Sequence, residues 1–227
     1  MRKLSIVIPC FNERDHVAEL LTRVFAVTLP DGWEREVIVV DDASSDGTPD
    51  VLRALDLPLR LVFRQTNGGK GTALHDGFNV ATGTHIIIQD ADLEYDPNDI
   101  PSLLDAIEDE RTVVYGSRYL REGGKRGAFI LRAGVWALTG LINVLFGARL
   151  TDTSTCYKLF PREAAQLLPH GGLEADSVFA AILLRAGYRI REIPISYAPR
   201  TIAEGKKMKY RYGFKALISI LRLYIKR

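Results

Sequence analysis

Three short apolar runs in the first hundred residues each end in a polar cluster. Leu4 to Ile8 leads into Pro9-Cys10-Phe11-Asn12-Glu13, Glu36 to Val40 into Asp41-Asp42-Ala43-Ser44-Ser45-Asp46-Gly47-Thr48, and His85 to Gln89 into Asp90 to Glu94. Amphipathic stretches at Asp15 to Val27, Thr48 to Leu55, Gly71 to Ala81 and Asp99 to Asp109 separate these runs from two more, Leu59 to Phe63 and Thr112 to Tyr115. Alternation of this kind predicts an α/β fold, with a mostly parallel central sheet flanked by helices. Ligands of such sheets bind beyond the carboxyl ends of the strands, so the three polar clusters are expected to meet at one edge and form one site.

The third cluster carries the most chemistry. Residues two apart on an extended segment point the same way, so Asp90 and Asp92, with Glu94 following, would face one hard cation. Carboxylates without Cys or His partners suit Mg²⁺ or Mn²⁺ rather than zinc. A cation held by one or two carboxylates takes its other ligands from water and substrate phosphates, which implies a nucleoside diphosphate. Read alone, the same Asp-x-Asp also fits a solvated turn; its place after an apolar run favours the metal.

At 227 residues, 47% hydrophobic and 26% charged, the chain is expected to form one large globular domain or two intimately packed lobes. Cys10 and Cys156 lie far apart and make no metal-type pair, and no signal-peptide pattern precedes Leu4, so a reducing cytosolic location is the default expectation. The net charge of +2 conceals an asymmetry: residues 1–117 hold 10 Lys and Arg against 21 Asp and Glu, whereas residues 118–227 hold 20 against 7. A metal site accounts for part of the acidic half. The basic half calls for an anionic partner, phosphate or an acidic membrane surface. Nucleic acid is not expected, because no recognition helix, zinc finger or aromatic-studded RNA motif is present.

The second half is less regular. An apolar segment, Phe129 to Phe146, precedes a polar stretch from Thr151 to Phe160; a helix near Ala175 to Ala186, one or two strands over Arg189 to Tyr197, a basic loop from Pro199 to Lys209 and a helix near Gly213 to Ile225 follow. Residues 133–147 carry no charge, but the run is shorter than the roughly 20 residues of a spanning helix, and Arg132 and Arg149 bracket it. Two placements stay open for it and for the basic, apolar segment from Phe214 to Arg227: packing in the core, or lying against a membrane.

Other motifs have structural as well as functional readings. Asp41 and Asp42 are placed to accept hydrogen bonds from a base or ribose, while Ser44, Asp46 and Thr48 fit helix capping. Asn67-Gly68-Gly69-Lys70-Gly71-Thr72 is not a Walker A sequence, because Gly follows the lysine where Ser or Thr is required; it reads as a turn into a helix with Lys70 near a phosphate. His16, His75, His85 and His170 fall in no catalytic constellation.

Together with Tyr115-Gly116-Ser117-Arg118-Tyr119, Asp152-Thr153-Ser154-Thr155-Cys156-Tyr157-Lys158 and Arg200 to Lys207, these motifs make the chain resemble the family 2 glycosyltransferases of GT-A fold, in their dolichyl- or polyprenyl-phosphate sugar synthase branch. The resemblance implies a single GT-A domain over residues 1–227, its first half for nucleotide sugar and metal and its second for the acceptor. It implies that Pro9, Asn12, Glu13, Asp41 and Asp42 hold the nucleotide, with Lys70 and Ala91 beside it, and that Asp90, Asp92 and Glu94 hold Mg²⁺ or Mn²⁺. Arg118 and Arg132 would receive a lipid phosphate, Asp152 would face the donor sugar, and Arg200 with Lys206 and Lys207 would clamp the diphosphate from a mobile loop. Asp92, Asp152 and Arg118 are the expected catalytic residues. GDP-mannose and UDP-glucose are the implied donors, and peripheral association with the cytoplasmic face of a membrane is the implied location, with an integral membrane partner left open.

A lipid phosphate, with a second pKa of roughly 6, is already ionised and nucleophilic near neutrality and needs no general base. A sugar hydroxyl acceptor would need one, for which Glu174 and Asp176 are the candidates. A catalytically silent membrane-recruitment adaptor and a nucleotidyltransferase are the readings from other classes.

Overall fold

The computed structural model describes residues 1–122, 129–168, 175–200 and 210–225, with the side chains of 129–131, 175–176 and 210–212 outside that set. Seven strands form one sheet: β1 (Arg2–Cys10), β2 (Trp33–Asp41), β3 (Leu59–Phe63), β4 (His85–Ile88), β5 (Thr112–Ser117), β6 (Lys158–Pro161) and β7 (Arg189–Pro194), in the order β3-β2-β1-β4-β6-β5-β7. Only β6 runs against its neighbours, antiparallel to both β4 and β5, while the other pairs are parallel. Six strands therefore deliver their carboxyl ends to one edge, and the segment entering β6 starts from that same edge.

The sheet is covered on both faces, and the alternation of side chains along β1 shows how. Leu4, Ile6 and Ile8 pack with α1 (Val17–Ala26), α2 (Thr48–Ala54) and α4 (Ile100–Asp105), whereas Val7 faces the opposite core with α3 (Lys70–Val80), α5 (Phe129–Phe146), α6 (Ala175–Arg185) and α7 (Tyr210–Ile225). α3 lies very close to the sheet at Gly77, where a Cβ would come within 2.4 Å of Val7 Cγ1. Among the described residues no helix is long and apolar enough to cross a membrane.

Two expectations change. β6 falls in the stretch read as polar: it has four residues, two of them Lys158 and Pro161, too short for a periodic signal. Lys158 is nevertheless fully buried, its Nζ donating to the Thr155 carbonyl and lying 5.1 Å from the Tyr115 ring centre. The helix expected over Asp99 to Asp109 is reduced to α4, which ends at Asp105, and it is entered through a 3₁₀ turn at Pro97–Asp99 where Asp96 accepts from the Asn98 N–H at 3.0 Å.

Candidate active site

The loops after β1 and β2 are laced together by side chains. The Asn12 N–H donates to Ser44 Oγ at 2.9 Å, the Ser45 N–H returns to Asn12 Oδ1 at 2.9 Å, the Glu13 N–H donates to Thr48 Oγ1 at 3.1 Å and the Arg14 N–H to Asp46 Oδ2 at 3.1 Å. Ser44 and Thr48 thus bind the neighbouring loop instead of capping α2, whose N-cap is Gly47 at φ 89° without a side-chain cap. Pro9 stays inside β1, paired in register with Val40. The described non-glycine residues with positive φ are Asn12 (56°), Ala43 (59°) and Leu93 (59°), one in each of the three strand-end loops. Left-handed backbone at such residues costs on the order of 1 kcal/mol each or more, and it persists where surroundings hold a binding site in shape.

Asp41 and Asp42 have different roles despite their adjacency. Asp42 accepts from the Gly68 and Gly69 N–H groups at 2.9 and 2.7 Å and from Arg64, so it clamps the glycine turn in front of α3 and is spent inside the protein. Gly69 sits there at φ 81°, which favours glycine. Asp41 is equally buried, yet only its Oδ2 is engaged, by the Ser44 N–H at 3.1 Å; Oδ1 has no partner among the described residues. An orphaned buried carboxylate oxygen is costly unless a ligand satisfies it. Of the two, Asp41 is the one free to meet a base or ribose.

The expected metal carboxylates lie in a turn, not on an extended strand. β4 stops at Ile88, and Leu93 at φ 59° folds the chain back so that the Glu94 N–H donates to Asp92 Oδ1 at 3.1 Å. Ala91 is buried between the two carboxylates in sequence, Lys70 Nζ lies 2.7 Å from Asp90, and Arg200 bridges Asp92 at 2.8 Å and Glu13 at 3.2 Å. Burial, then the nearby Asp90 charge, pushes the Asp92 carboxyl up to about 6, while Arg200 pulls the other way. Glu94 does not join the pair. Its carboxylate accepts from the Tyr197 hydroxyl and from the Arg200 N–H, both at 2.8 Å, so it tethers the segment that carries Arg200.

Among the described residues no group of three or more His, Cys, Asp or Glu is arranged to hold a metal ion. What the turn after β4 presents is two carboxylates, Asp90 and Asp92, with the cations Lys70 and Arg200 beside them. That set suits Mg²⁺ or Mn²⁺ arriving with a diphosphate, since such ions keep water and substrate phosphates as their remaining ligands.

On the other side of the edge, Arg118 and Asp152 form a bidentate pair, with Nε to Oδ2 at 2.7 Å and Nη2 to Oδ1 at 2.8 Å. Asp152 has no exposed surface, so it orients Arg118 rather than facing a donor sugar. The guanidinium lies 5.2 Å from the Tyr197 ring centre and 5.8 Å from that of Tyr119. Behind it stands a residue with no signal in the sequence. Glu192 on β7 accepts from the Asp152 N–H (2.8 Å), the Thr151 N–H (2.7 Å) and the Thr151 hydroxyl (2.8 Å), and Thr151 in turn lies 2.6 Å from Ser117 Oγ. Burial raises the Glu192 pKa, and these donors oppose the rise. Arg64 and Tyr197 were also invisible as site residues, because each acts through a partner distant in sequence.

Arg132, at the start of α5, stacks 4.9 Å from the Trp136 ring centre and keeps a buried Nε without a partner among the described residues. Trp136 touches Tyr119, their ring centres 6.3 Å apart, so Arg132 adjoins the Arg118 arm. Lys206 and Lys207 lie outside the described residues, as do Glu174, His170 and the Asp176 side chain. His16 is paired with Glu13 at 3.0 Å, and His85 packs edge-on to Trp33.

Residues 5–168 match the model of the glycosyl transferase family 2. Over 223 residues the chain is 31% identical to the undecaprenyl-phosphate 4-deoxy-4-formamido-L-arabinose transferase of Edwardsiella ictaluri, covering 96% of this chain and 65% of that protein. It is 36% identical over 165 residues to the dodecaprenyl-phosphate galacturonate synthase of Rhizobium johnstonii, covering 70% and 47%, and 36% identical over 125 residues to the dolichol-phosphate mannosyltransferase of Pyrococcus furiosus, covering 54% and 35%. The chain thus spans less than two thirds of the length of these relatives. Among solved structures, the glucosyl-3-phosphoglycerate synthase of Mycobacterium tuberculosis with Mn²⁺, UDP and phosphoglyceric acid superposes with a TM-score of 0.74 at 21% identity, over 98% of this chain and 78% of that one. The same enzyme with Mg²⁺ and UDP gives 0.73 at 20% identity, over 98% and 79%. These likenesses establish the GT-A fold.

Proposed function

The chain belongs to glycosyl transferase family 2, and from that premise we propose that it moves a sugar from a nucleoside diphosphate to a polyprenyl phosphate at a membrane surface. The observation that carries this reading is the meeting, at one sheet edge, of the Asp41, Asp90 and Asp92 carboxylates with the Asp152-oriented guanidinium of Arg118. One side suits a nucleotide with its metal. The other presents a fixed cation to an anionic acceptor, as the polyprenyl-phosphate specificity of the named relatives also supports.

Asp41 Oδ1 receives the nucleoside, and Asp90 and Asp92 hold Mg²⁺ or Mn²⁺. Bound there, the ion supplies charge neutralisation for the departing diphosphate. Lys70 and Arg200, now paired with those carboxylates, turn their charge to the diphosphate when it arrives, which favours charge growing on the leaving group. Arg118 orients the acceptor phosphate for in-line attack on the sugar C1, with inversion. The attacking oxygen is already ionised, so no protein base is assigned.

The test uses the purified chain with Mn²⁺, polyprenyl phosphate and labelled GDP-mannose or UDP-glucose. Label passing into the organic-extractable lipid fraction with release of nucleoside diphosphate is expected. Label passing only to a saccharide hydroxyl, or release of pyrophosphate, overturns the reading.

A further inference from the structure

Three side chains act on the Arg118 guanidinium, and each does something different. Asp152 holds one edge through Nε and Nη2, which fixes the group within its own plane. The guanidinium carbon also lies over two rings, 5.8 Å from the centre of Tyr119 and 5.2 Å from that of Tyr197. Tyr119 is the next residue in the chain and moves with Arg118. Tyr197 belongs to the segment after β7, so its ring seats the cation against an independent part of the fold.

That segment is pinned residue by residue. The Ile195 N–H donates to the Ser117 carbonyl at 3.2 Å, the Ser196 N–H to Asp99 Oδ2 at 2.7 Å and the Ala198 N–H to the Glu94 carbonyl at 2.9 Å, while Tyr197 forms an isolated antiparallel bridge with Tyr95. The Tyr197 ring centre is 5.3 Å from that of Tyr95, which stacks at 5.4 Å on Tyr157. The hydroxyl supplies the last anchor, donating to Glu94 Oε2 at 2.8 Å. Glu94 Oε1 accepts from the Arg200 N–H, also at 2.8 Å, and the Arg200 guanidinium reaches Asp92. One carboxylate therefore anchors both the ring under Arg118 and the backbone of the cation that sits on Asp92.

We propose that Tyr197 and Glu94 are a positioning pair that fixes the acceptor-side cation and ties it to the donor side. The Tyr197 ring sets the height of the Arg118 guanidinium by a cation–π contact, and the hydroxyl bond to Glu94 keeps the ring in place. Neither residue touches the transferred sugar in this scheme; both act through the two arginines. The inference rests on the proposed role of Arg118 in receiving the acceptor phosphate, but it is read from binding without turnover, so a failed transfer and a failed positioning pair give different results.

The experiment is calorimetric titration of the full chain with a short-chain isoprenyl phosphate and, separately, with UDP and GDP in the presence of Mn²⁺, thermal melting being the folding control. Tyr197→Phe keeps the ring and loses its anchor; isoprenyl phosphate should bind about threefold more weakly, with nucleotide binding unchanged. Tyr197→Leu removes the ring and should cost about tenfold, again for the isoprenyl phosphate alone. Glu94→Gln leaves one side-chain oxygen for two donors, so both ligands should weaken by about threefold. Adding Tyr197→Phe to Glu94→Gln should cost the isoprenyl phosphate little more, because the two residues act through one bond. Wild-type acceptor binding in both Tyr197 variants overturns the inference, as does an equal loss for nucleotide and isoprenyl phosphate in Tyr197→Phe, or simple additivity in the double variant. A wild type that binds no isoprenyl phosphate overturns it together with the proposed transfer. Transfer to a saccharide hydroxyl, with isoprenyl phosphate binding still lost selectively in the Tyr197 variants, overturns the transfer and upholds the positioning pair.

Discussion

The carboxyl edge of β1, β2 and β4 and the arm built from β5, β6 and β7 reach the same site by different routes. In the first region each polar residue follows directly on the strand that positions it, and the loops are laced by contacts such as Asn12 with Ser44 and Ser45. In the second, Arg118 depends on Asp152, which depends on Glu192, so three segments far apart in sequence hold one guanidinium. Binding groups in the first region are separable from the core that carries them. In the second, the cation proposed to meet the acceptor is itself part of a buried polar network, so removing a member should cost stability as well as chemistry.

The sharpest break in that contrast comes from Asp152→Ala. Leaving Arg118 without its partner in a buried position should destabilise the fold by about 3–5 kcal/mol. At about 2–4 °C per kcal/mol for a chain of this size, calorimetry should record a melting drop on the order of 10 °C. Asp92→Asn is the counterpart in the other region. Turnover should fall about 10²–10³-fold, as for loss of one charge-stabilising group, while the melting temperature stays close to wild type. Equal melting losses for the two variants would erase the distinction.

A smaller effect tests the reach of the arm. Glu192→Gln puts an amide nitrogen against one of the N–H groups that its carboxylate now accepts, at a cost of about 1–3 kcal/mol. Initial-rate kinetics should show a raised KM for the lipid phosphate and unchanged donor binding. Glu192→Asp should recover part of the loss, which a purely structural defect would not separate by substrate.

The smallest effect concerns the seam between the regions, where His85 on β4 pairs in register with Pro161 on β6. Burial, then the charge of Arg2, lowers the His85 pKa to about 4. Below the ordinary histidine range the unfolded chain binds a proton that the folded chain refuses, so stability is present above about pH 6.5 and is lost as pH falls from there towards 4. Melting temperature against pH should show this loss, and His85→Phe should flatten it.

How far the sequence could be read follows the same division. β1 to β4 and the helices between them were legible because an apolar run and its polar end are local signals. The assignment of Asp90, Asp92 and Glu94 to one extended face was not sound, because it depends on where the strand stops. Leu93 in the left-handed region turns Glu94 to Tyr197 and the Arg200 backbone, and no pattern of side-chain types reports that turn. β6 escaped because its place between β4 and β5 supplies the partners that four residues cannot advertise alone. For α5 and α7 the sequence offered core packing or a membrane surface as alternatives, and the structure packs one stripe of each into the core while Trp136, Val144, Phe214 and Ile225 stay exposed.

What the sequence determined by itself was the α/β architecture, the family and the chemistry on offer: carboxylates at strand ends and cations in the second half. Composition and spacing are enough for that, because they set which groups exist and which strand each one follows. Tertiary structure alone decided which groups are spent and which are free, closing Asp42 onto Gly68 and Gly69, leaving Asp41 Oδ1 open and standing Glu192 behind Asp152. Those outcomes depend on hydrogen bonds between residues that only the folded sheet brings within 3 Å of each other.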